Sequence, residues 1–207
     1  MTQSIMQITN GPMKQNCYIV SKDGYALIID PGSEDERIIT EIENNKLQPI
    51  AILNTHAHFD HIGAVEIIRK RYNIPFFLSN ADLPLMRRAN LYRLIFNGET
   101  NVTVPTEVCS VIDLRIANLD PFEVQVIDTP GHTEGGMSFV IGDALFTGDT
   151  LMGNGPGRSD LPGGNKDDLA RSLDEYHALS QNLTVYAGHG RPLSLADALR
   201  IGSEETS

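Results

Sequence analysis

Cysteine is nearly missing from this chain. Cys17 and Cys109 are the only two in 207 residues, and neither belongs to a CxxC pair. A disulfide framework is therefore not expected, and a reducing cytoplasm is the expected compartment. Cys17, in NCYIV, reads as a small buried apolar residue. Long apolar runs are missing too: nothing approaches the roughly 18 residues of a membrane span. The opening MTQSIMQITN lacks the basic start and apolar core of a secretory signal. Basic residues are few, with 16 Lys and Arg against 27 Asp and Glu, for a formal net charge of −11. Such a surface repels polyphosphate, which argues against a nucleic-acid partner, and no membrane partner is expected. Two bound divalent cations would offset only part of that charge.

What is present is an ordinary apolar share of 41%, in a chain long enough to bury one sizeable core. Residues 1–207 are expected to form a single domain. Asn16 to Val20 and Tyr25 to Ile29 flank Lys22-Asp23-Gly24, a hairpin signal. Asp30-Pro31-Gly32 ends the second strand. Ser33 and Glu36 form a capping box for a helix carrying Ile38, Ile39 and Ile42. Ile50 to Leu53 reads as a buried strand, Ile62 to Tyr72 as a helix, and Asn73 to Leu78 as another strand. Ala81 to Phe96 is expected to be helical with a break near Pro84. Strands are predicted at Leu114–Asn118, Glu123–Thr129, Met137–Ile141, Ala144–Phe146 and Leu183–Ala187. Asn165 caps a helix running to about Ser180, and Ser194 starts a closing helix. Strands and helices, then strands and helices again, suit two α/β halves sharing one core.

The informative stretch is NTHAHFDHIG, Asn54 to Gly63, which packs three of the chain's six histidines and an aspartate into six positions. His56 and His58 are two apart at a strand end, where residues i and i+2 point the same way, so both imidazoles can reach one cation. Asp60 and His61 follow on the turn into a helix, where the changing direction lets them face a second cation. Three further candidates share one layout, an apolar strand and then a tight turn with glycine: His132 in DTPGHT, Asp149 in LFTGDT and His189 in VYAGHG. Strand ends converging on one rim are where a rigid scaffold displays a site. His177, in LDEYHALS, has neither strand nor glycine turn and reads as a helix-surface residue.

Five histidines and two aspartates can hold two divalent metal ions. His56, His58 and His132 would hold one, Asp60, His61 and His189 the other, with Asp149 as the bridge. No cysteine is among them, so the set suits zinc first, with iron or manganese as the other candidates. A water between ions some 3.5–4 Å apart would lose a proton near neutral pH and become a nucleophile.

With THAHFDH, His132 in TPGHT, Asp149 in TGDT and His189 in GHG, the chain resembles the metallo-β-lactamase superfamily. The resemblance implies its αββα sandwich, with the site at one edge. True β-lactamases usually lack a bridging aspartate where Asp149 stands, and flavodiiron proteins carry a glutamate where this chain has His58. Neither activity is therefore implied. The stretch GDTLMGNGPGRSDLPGGN, Gly148 to Asn165, is similar to the shorter prokaryotic members of the glyoxalase II group. Those hydroxyacylglutathione hydrolases cleave a thioester with two metals. The resemblance implies a small-molecule thioester substrate, with glutathione as the candidate carrier, and catalytic roles for Asp60 and Asp149. Longer glyoxalase II enzymes continue into a helical C-terminal domain with basic residues for glutathione. This chain is expected to lack that domain, which leaves Arg158 in GPGRSD as the candidate grip on a substrate carboxylate. The same GRSD stretch resembles persulfide dioxygenases, which would use one iron on His56, His132 and Asp149. A phosphodiesterase or nuclease suits the bridged site but clashes with the charge. The oligomeric state is left open.

Overall fold

The computed structural model describes residues 2–97 and 102–205. Strands β1 (Ser4–Asn10), β2 (Gln15–Lys22), β3 (Tyr25–Ile29), β4 (Gln48–Leu53) and the short β5 (Phe76–Phe77) form one sheet in that order. β1, β2 and β3 run antiparallel as a meander. β4 and β5 are added parallel, by crossovers through α1 (Asp35–Asn44) and through α2 (Phe59–Ile62) with α3 (Val65–Tyr72). Helices α4 (Leu83–Arg87), α5 (Ala89–Asn97) and α6 (Val111–Ile116) lead to the second sheet. Its strands are β6 (Val124–Asp128), β7 (Met137–Ile141), β8 (Ala144–Gly148), β11 (Thr184–Ala187) and β12 (Leu193–Ser194), in spatial order 12-11-8-7-6. A small ribbon, β9 (Leu151–Met152) with β10 (Gly155–Pro156), sits between β8 and α7 (Lys166–His177), and α8 (Leu195–Glu205) closes the described chain. No helix among the described residues is long and apolar enough to cross a membrane.

Alternation along the strands makes four layers. In β2, Tyr18 and Val20 join the cluster between the sheets, while Cys17 and Ile19 face the helices on the outer side. β3 repeats the split, with Leu27 and Ile29 inward and Ala26 and Ile28 outward. The inter-sheet core is completed by Leu53, Met137, Phe139 and Phe146. A third cluster, with Leu145, Val185, Tyr176 and Leu195, packs α7 and α8 on the outer face of the second sheet. Burial on both faces is why these strands read as continuous apolar runs. This is the αββα sandwich of the metallo-β-lactamase fold.

Several local expectations change. β1 lies upstream of the expected hairpin and pairs with the whole of β2. Ser33 is not a cap: its hydroxyl donates to Asn10 Oδ1 (2.8 Å), and Glu34, at φ 56°, precedes α1 without a side-chain cap. The helix expected from Ile62 is two pieces, α2 and α3, separated at Gly63 and Ala64. The break after Ala81 comes at Arg88 rather than Pro84, because Pro84 occupies the first turn of α4, where its missing N–H costs nothing. The segment predicted as a strand at Leu114–Asn118 overlaps α6. Ser110 Oγ accepts from Asp113 N and the Asp113 carboxylate accepts from Ser110 N, a capping box that fixes a helix.

One buried ionic cluster braces this frame. The Glu66 carboxylate on α3, 3% exposed, accepts from Arg69 Nε (2.9 Å), Thr106 Oγ1 (2.8 Å) and Thr106 N (3.2 Å), and Lys70 Nζ lies 2.9 Å away. Burial alone would raise its pKa, but the hydrogen bonds from Arg69, Lys70 and Thr106 outweigh it and lower it to about 2. The carboxyl is more acidic folded than unfolded, where it titrates near ~4.3. Its stabilisation is therefore complete above that value and is lost as pH falls toward 2. Glu66→Gln is expected to cost about 2–3 kcal/mol at pH 7 and to flatten the acid limb of stability. Urea unfolding from pH 7 to pH 3 measures both. Equal pH slopes for the two proteins would refute this role for Glu66.

Candidate metal centre

Strand directions bring the histidines and aspartates together. β3 and β4 are parallel, so Asp30 and the His56–His61 loop leave the same edge of the first sheet. In the second sheet β6 and β8 both pair antiparallel with β7, and β11 runs parallel to β8. His132, Asp149 and His189 therefore follow strands that end on one rim. Three contacts tie the two rims: Asn16 N donates to Gly188 O (2.8 Å), Met137 N to Thr55 O (2.8 Å) and Tyr18 Oη to Ala187 O (2.6 Å). Gly148, at φ 52°, packs against Thr55 and His56, and a Cβ at Gly188 would overlap the Asp149 carboxylate. Neither turn accepts a larger residue in place.

The donor atoms form two main groups, and a third close set, Asp30 with His56 and His61, links them. His56, His58, His132 and Asp149 present one, and Asp60, His61 and His189 the other. Within the first, His132 Nε2 lies 2.9 Å from His58 Nδ1 and 3.5 Å from Asp149 Oδ2. Within the second, His189 Nε2 lies 3.4 Å and His61 Nε2 3.9 Å from Asp60 Oδ2. Asp149 reaches both groups: Oδ1 is 3.6 Å from His61 Nε2, and Oδ2 is 3.6 Å from His189 Nε2. Its carboxylate therefore stands between the two groups. Edges of this length suit a cation, since four ligands on bonds of 2.0–2.1 Å stand about 3.3 Å apart.

The backs of three of the rings are also committed. His61 Nδ1 lies 3.0 Å from Asp30 Oδ2, His132 Nδ1 2.7 Å from Arg158 O, and His56 Nδ1 3.0 Å from Thr55 Oγ1. Such partners fix the tautomer and aim the other nitrogen into the centre. His56 Nε2, His61 Nε2 and Asp149 Oδ1 are then buried with no hydrogen-bond partner. Buried polar atoms are rarely left so, and convergent orphans of this kind fit a metal ion.

Electrostatics separates the groups. Burial, and then the neighbouring imidazoles, hold His56 far below its ordinary value, and His58 is lowered to about 3. Both are neutral and ready to ligate. For His61, burial is outweighed by the carboxylates of Asp149, Asp60 and Asp30, which raise it to about 9, and His189 is raised for similar reasons. Burial would raise Asp60, but His61, His58 and His189 hold it below the ordinary carboxylate range. Without an ion the second group thus carries protons that an arriving cation must displace.

The centre opens on a cavity of about 580 Å³. Arg158 lines it, yet its guanidinium is held by Asp160 through Nε (2.9 Å) and Nη2 (2.8 Å). Three residues escaped the sequence reading. Asp30 supports His61 and also accepts from Thr55 N (2.7 Å); as an acidic residue ending an apolar strand before Pro-Gly, it shares the layout of the other candidates. Arg191, two residues beyond His189, lines the cavity and has no hydrogen-bond or ion-pair partner among the described residues. Asp82, in SNADLP, braces two of the ligand loops from behind and carries no sequence signal. His177 ends α7 on the exposed surface. His177→Ala is expected to leave metal content and turnover within about twofold of the parent, checked by elemental analysis and assay. A loss of either would bring His177 into the site.

The chain matches the description "Metallo-beta-lactamase superfamily" over residues 10–189. A Bacillus subtilis protein named probable metallo-hydrolase YqgX is 36% identical over 184 residues, covering 87% of each chain. Haemophilus influenzae hydroxyacylglutathione hydrolase GloC is 32% identical over 183 residues, covering 86% of each. Among solved structures, the BLEG-1 B3 metallo-beta-lactamase superposes with a TM-score of 0.88 at 30% identity, covering 99% of this chain and 100% of that one. TTHA1623, in a di-iron-bound form, gives 0.86 at 34% identity, covering 95% and 98%.

Proposed function

Since this chain belongs to the metallo-beta-lactamase superfamily as a metal-dependent hydrolase, we propose that it hydrolyses a small-molecule thioester such as S-lactoylglutathione. Two divalent ions would be held, one by His56, His58 and His132 and one by Asp60, His61 and His189, with Asp149 shared. When bound, the pair supplies Lewis acidity toward the carbonyl and activates water at neutral pH. One observation carries the substrate class. Among the described residues lining the cavity, the only imidazoles and carboxylates are His58, Asp60, His132, Asp149 and His189, all members of the centre. No imidazole or carboxylic acid outside the centre stands ready there to protonate a leaving group. A thiolate needs none, because its conjugate acid titrates near ~8.5. Water adds at the carbonyl carbon and the C–S bond breaks with its electron pair on sulfur. The hydroxyl stays on the acyl group as a carboxylic acid that ionises to solvent, and the other proton of the water goes to the thiolate. The likeness to GloC supports the same chemistry.

The protein's own groups set the stage for that step. Asp60 remains ionised through the neutral range, so its carboxylate balances cationic charge and does not compete as an acid. Asp30, Thr55 and the Arg158 carbonyl keep three imidazoles aimed inward, so little reorganisation accompanies charge development at the carbonyl oxygen. Arg158, already engaged by Asp160, is a weak grip on a carrier. S-lactoylglutathione is therefore expected to show a raised KM with a respectable kcat, because lost uniform binding acts on KM.

The second reading is a one-iron persulfide dioxygenase, favoured by the completeness of the His56, His58, His132 and Asp149 group on its own. One aerobic comparison separates the two. Metal-loaded protein is given S-lactoylglutathione and, separately, glutathione persulfide, while thioester loss and oxygen uptake are followed. Thioester loss without oxygen uptake is expected. Oxygen consumption with persulfide and an intact thioester would overturn the hydrolase.

A further inference from the structure

The cavity is built mainly of apolar side chains, and they fall on two flanks. On one, Leu85 of α4 stands beside Tyr92 and Phe96 of α5, continued by Phe59 and Pro162. Tyr92 and Phe96 are four apart on their helix and so share a face. On the other flank, Met152 of β9, Leu193 of β12 and Ile201 of α8 approach the His189 turn, and Arg191 stands among them. Lactoylglutathione offers this interior little to match. Its acyl group is short and hydroxylated, whereas the α4–α5 flank supplies aromatic and aliphatic surface. Phe96 is 48% exposed, a large apolar group left partly in water at the cavity mouth. Arg191 is the complementary oddity, a cation with no partner among the described residues, in a chain of net charge −11.

We propose that the acyl group taken by this cavity is an apolar chain of several carbons lying along Leu85, Tyr92 and Phe96. Arg191 holds an anionic group, carboxylate or phosphate, of the thiol carrier. This rests on the thioester-hydrolase reading above and narrows it. His58, Asp60, His132, Asp149 and His189 line the same cavity, so a thioester with its carbonyl at the centre could lay its chain along the α4–α5 residues and its anion at Arg191. Each methylene buried in such a site is worth roughly fourfold in binding. An arginine holds carboxylate or phosphate bidentately, and an already paired arginine such as Arg158 does so less readily.

The test uses metal-loaded full-length protein with S-acetyl-, S-hexanoyl- and S-decanoylglutathione. KM is expected to fall at least about thirtyfold from acetyl to hexanoyl, short of full burial of four methylenes. Phe96→Ala, at a half-exposed position where folding is not at stake, should flatten that series. S-Hexanoyl-N-acetylcysteamine, which carries no anion, reports on Arg191: the parent should prefer the glutathione ester, and Arg191→Ala should bring that preference close to one. Calorimetry with the uncleavable S-methyl- and S-hexylglutathione reads the pocket without any turnover. Chain-dependent thioether binding with no thioester cleaved would sustain the cavity assignment and remove the hydrolase. Cleavage with a flat chain-length profile, in KM and in thioether binding alike, would keep the hydrolase and overturn the acyl-chain site. An unchanged carrier preference in Arg191→Ala would overturn the anion grip.

Discussion

Asp149→Ala is expected to lower kcat by at least about a thousandfold and to cut metal content from two ions per chain toward one or none. The magnitude follows from position. Asp149 Oδ2 lies 3.5 Å from His132 Nε2 and 3.6 Å from His189 Nε2, while Oδ1 lies 3.6 Å from His61 Nε2. Its two oxygens thus reach donor atoms of both groups. Removing it leaves Asp60, with Asp30 behind His61, to offset two dications, so their mutual repulsion is balanced less well at short range. Asp149→Asn keeps the shape and loses the charge, and should fall nearly as far. Elemental analysis after metal loading, with turnover at saturating substrate, reads both effects, and circular dichroism confirms the fold. Near-normal turnover by Asp149→Ala would sink the two-metal assignment altogether.

The residues that the fold draws together were legible because they cluster in sequence or recur in one setting. His56, His58, Asp60 and His61 occupy six residues, and His132, Asp149 and His189 each follow an apolar strand with glycine close by. Glycine marks them for a physical reason. The backbone must turn tightly at Gly148 and pass close to the carboxylate at Gly188, so the polar residue comes with a small neighbour. The supporting groups had no such mark. Asp82 sits in a short helical turn, Asn80–Asp82, remote in sequence from the loops it holds. Arg191 differs from Arg158 only in what surrounds it, since Asp160 neutralises one and nothing described neutralises the other. Pairing of that kind is a property of the folded surface.

The fold divides along the same line. Strands buried on both faces, such as Ile50–Leu53 and Met137–Ile141, announce themselves through continuous apolar runs. Where the apolar pattern is sparse, local chemistry decided differently. At Leu114–Asn118 the periodicity suggested a strand, yet only Leu114 is buried while Ile112 and Ile116 face solvent. The Ser110–Asp113 capping box supplies the missing instruction, starting four residues upstream of Leu114. At Ser33 the opposite happened. A good capping pair was present, but Asn10, 23 residues earlier, takes the hydroxyl, and a long-range partner overrides a local rule.

Asp82→Ala is expected to cost about 3–5 kcal/mol of stability and at least about a hundredfold in kcat/KM, although Asp82 touches no ligand atom of the centre. Its carboxylate is 1% exposed and accepts from Ala57 N (2.9 Å), Thr133 Oγ1 (2.9 Å) and Gly135 N (2.7 Å). Ala57 separates His56 from His58, and Thr133 follows His132, so one carboxylate pins the loops that carry all three imidazoles of the first group. Burial pushes the Asp82 carboxyl above its ordinary value, against the hydrogen bonds that lower it, and truncation removes a costly group together with three bonds. The bonds decide the sign. Each donor left unpaired in the interior costs roughly 1–3 kcal/mol. Asp82→Asn keeps an acceptor oxygen but turns a donor toward other donors, so an intermediate loss is expected. A purely structural role would lower the unfolding midpoint and leave the folded protein's metal affinity alone. The decisive measurement is therefore zinc affinity of the first group at a temperature where circular dichroism shows Asp82→Ala still folded. An affinity and a turnover equal to the parent's would show that His56, His58 and His132 hold their places without Asp82.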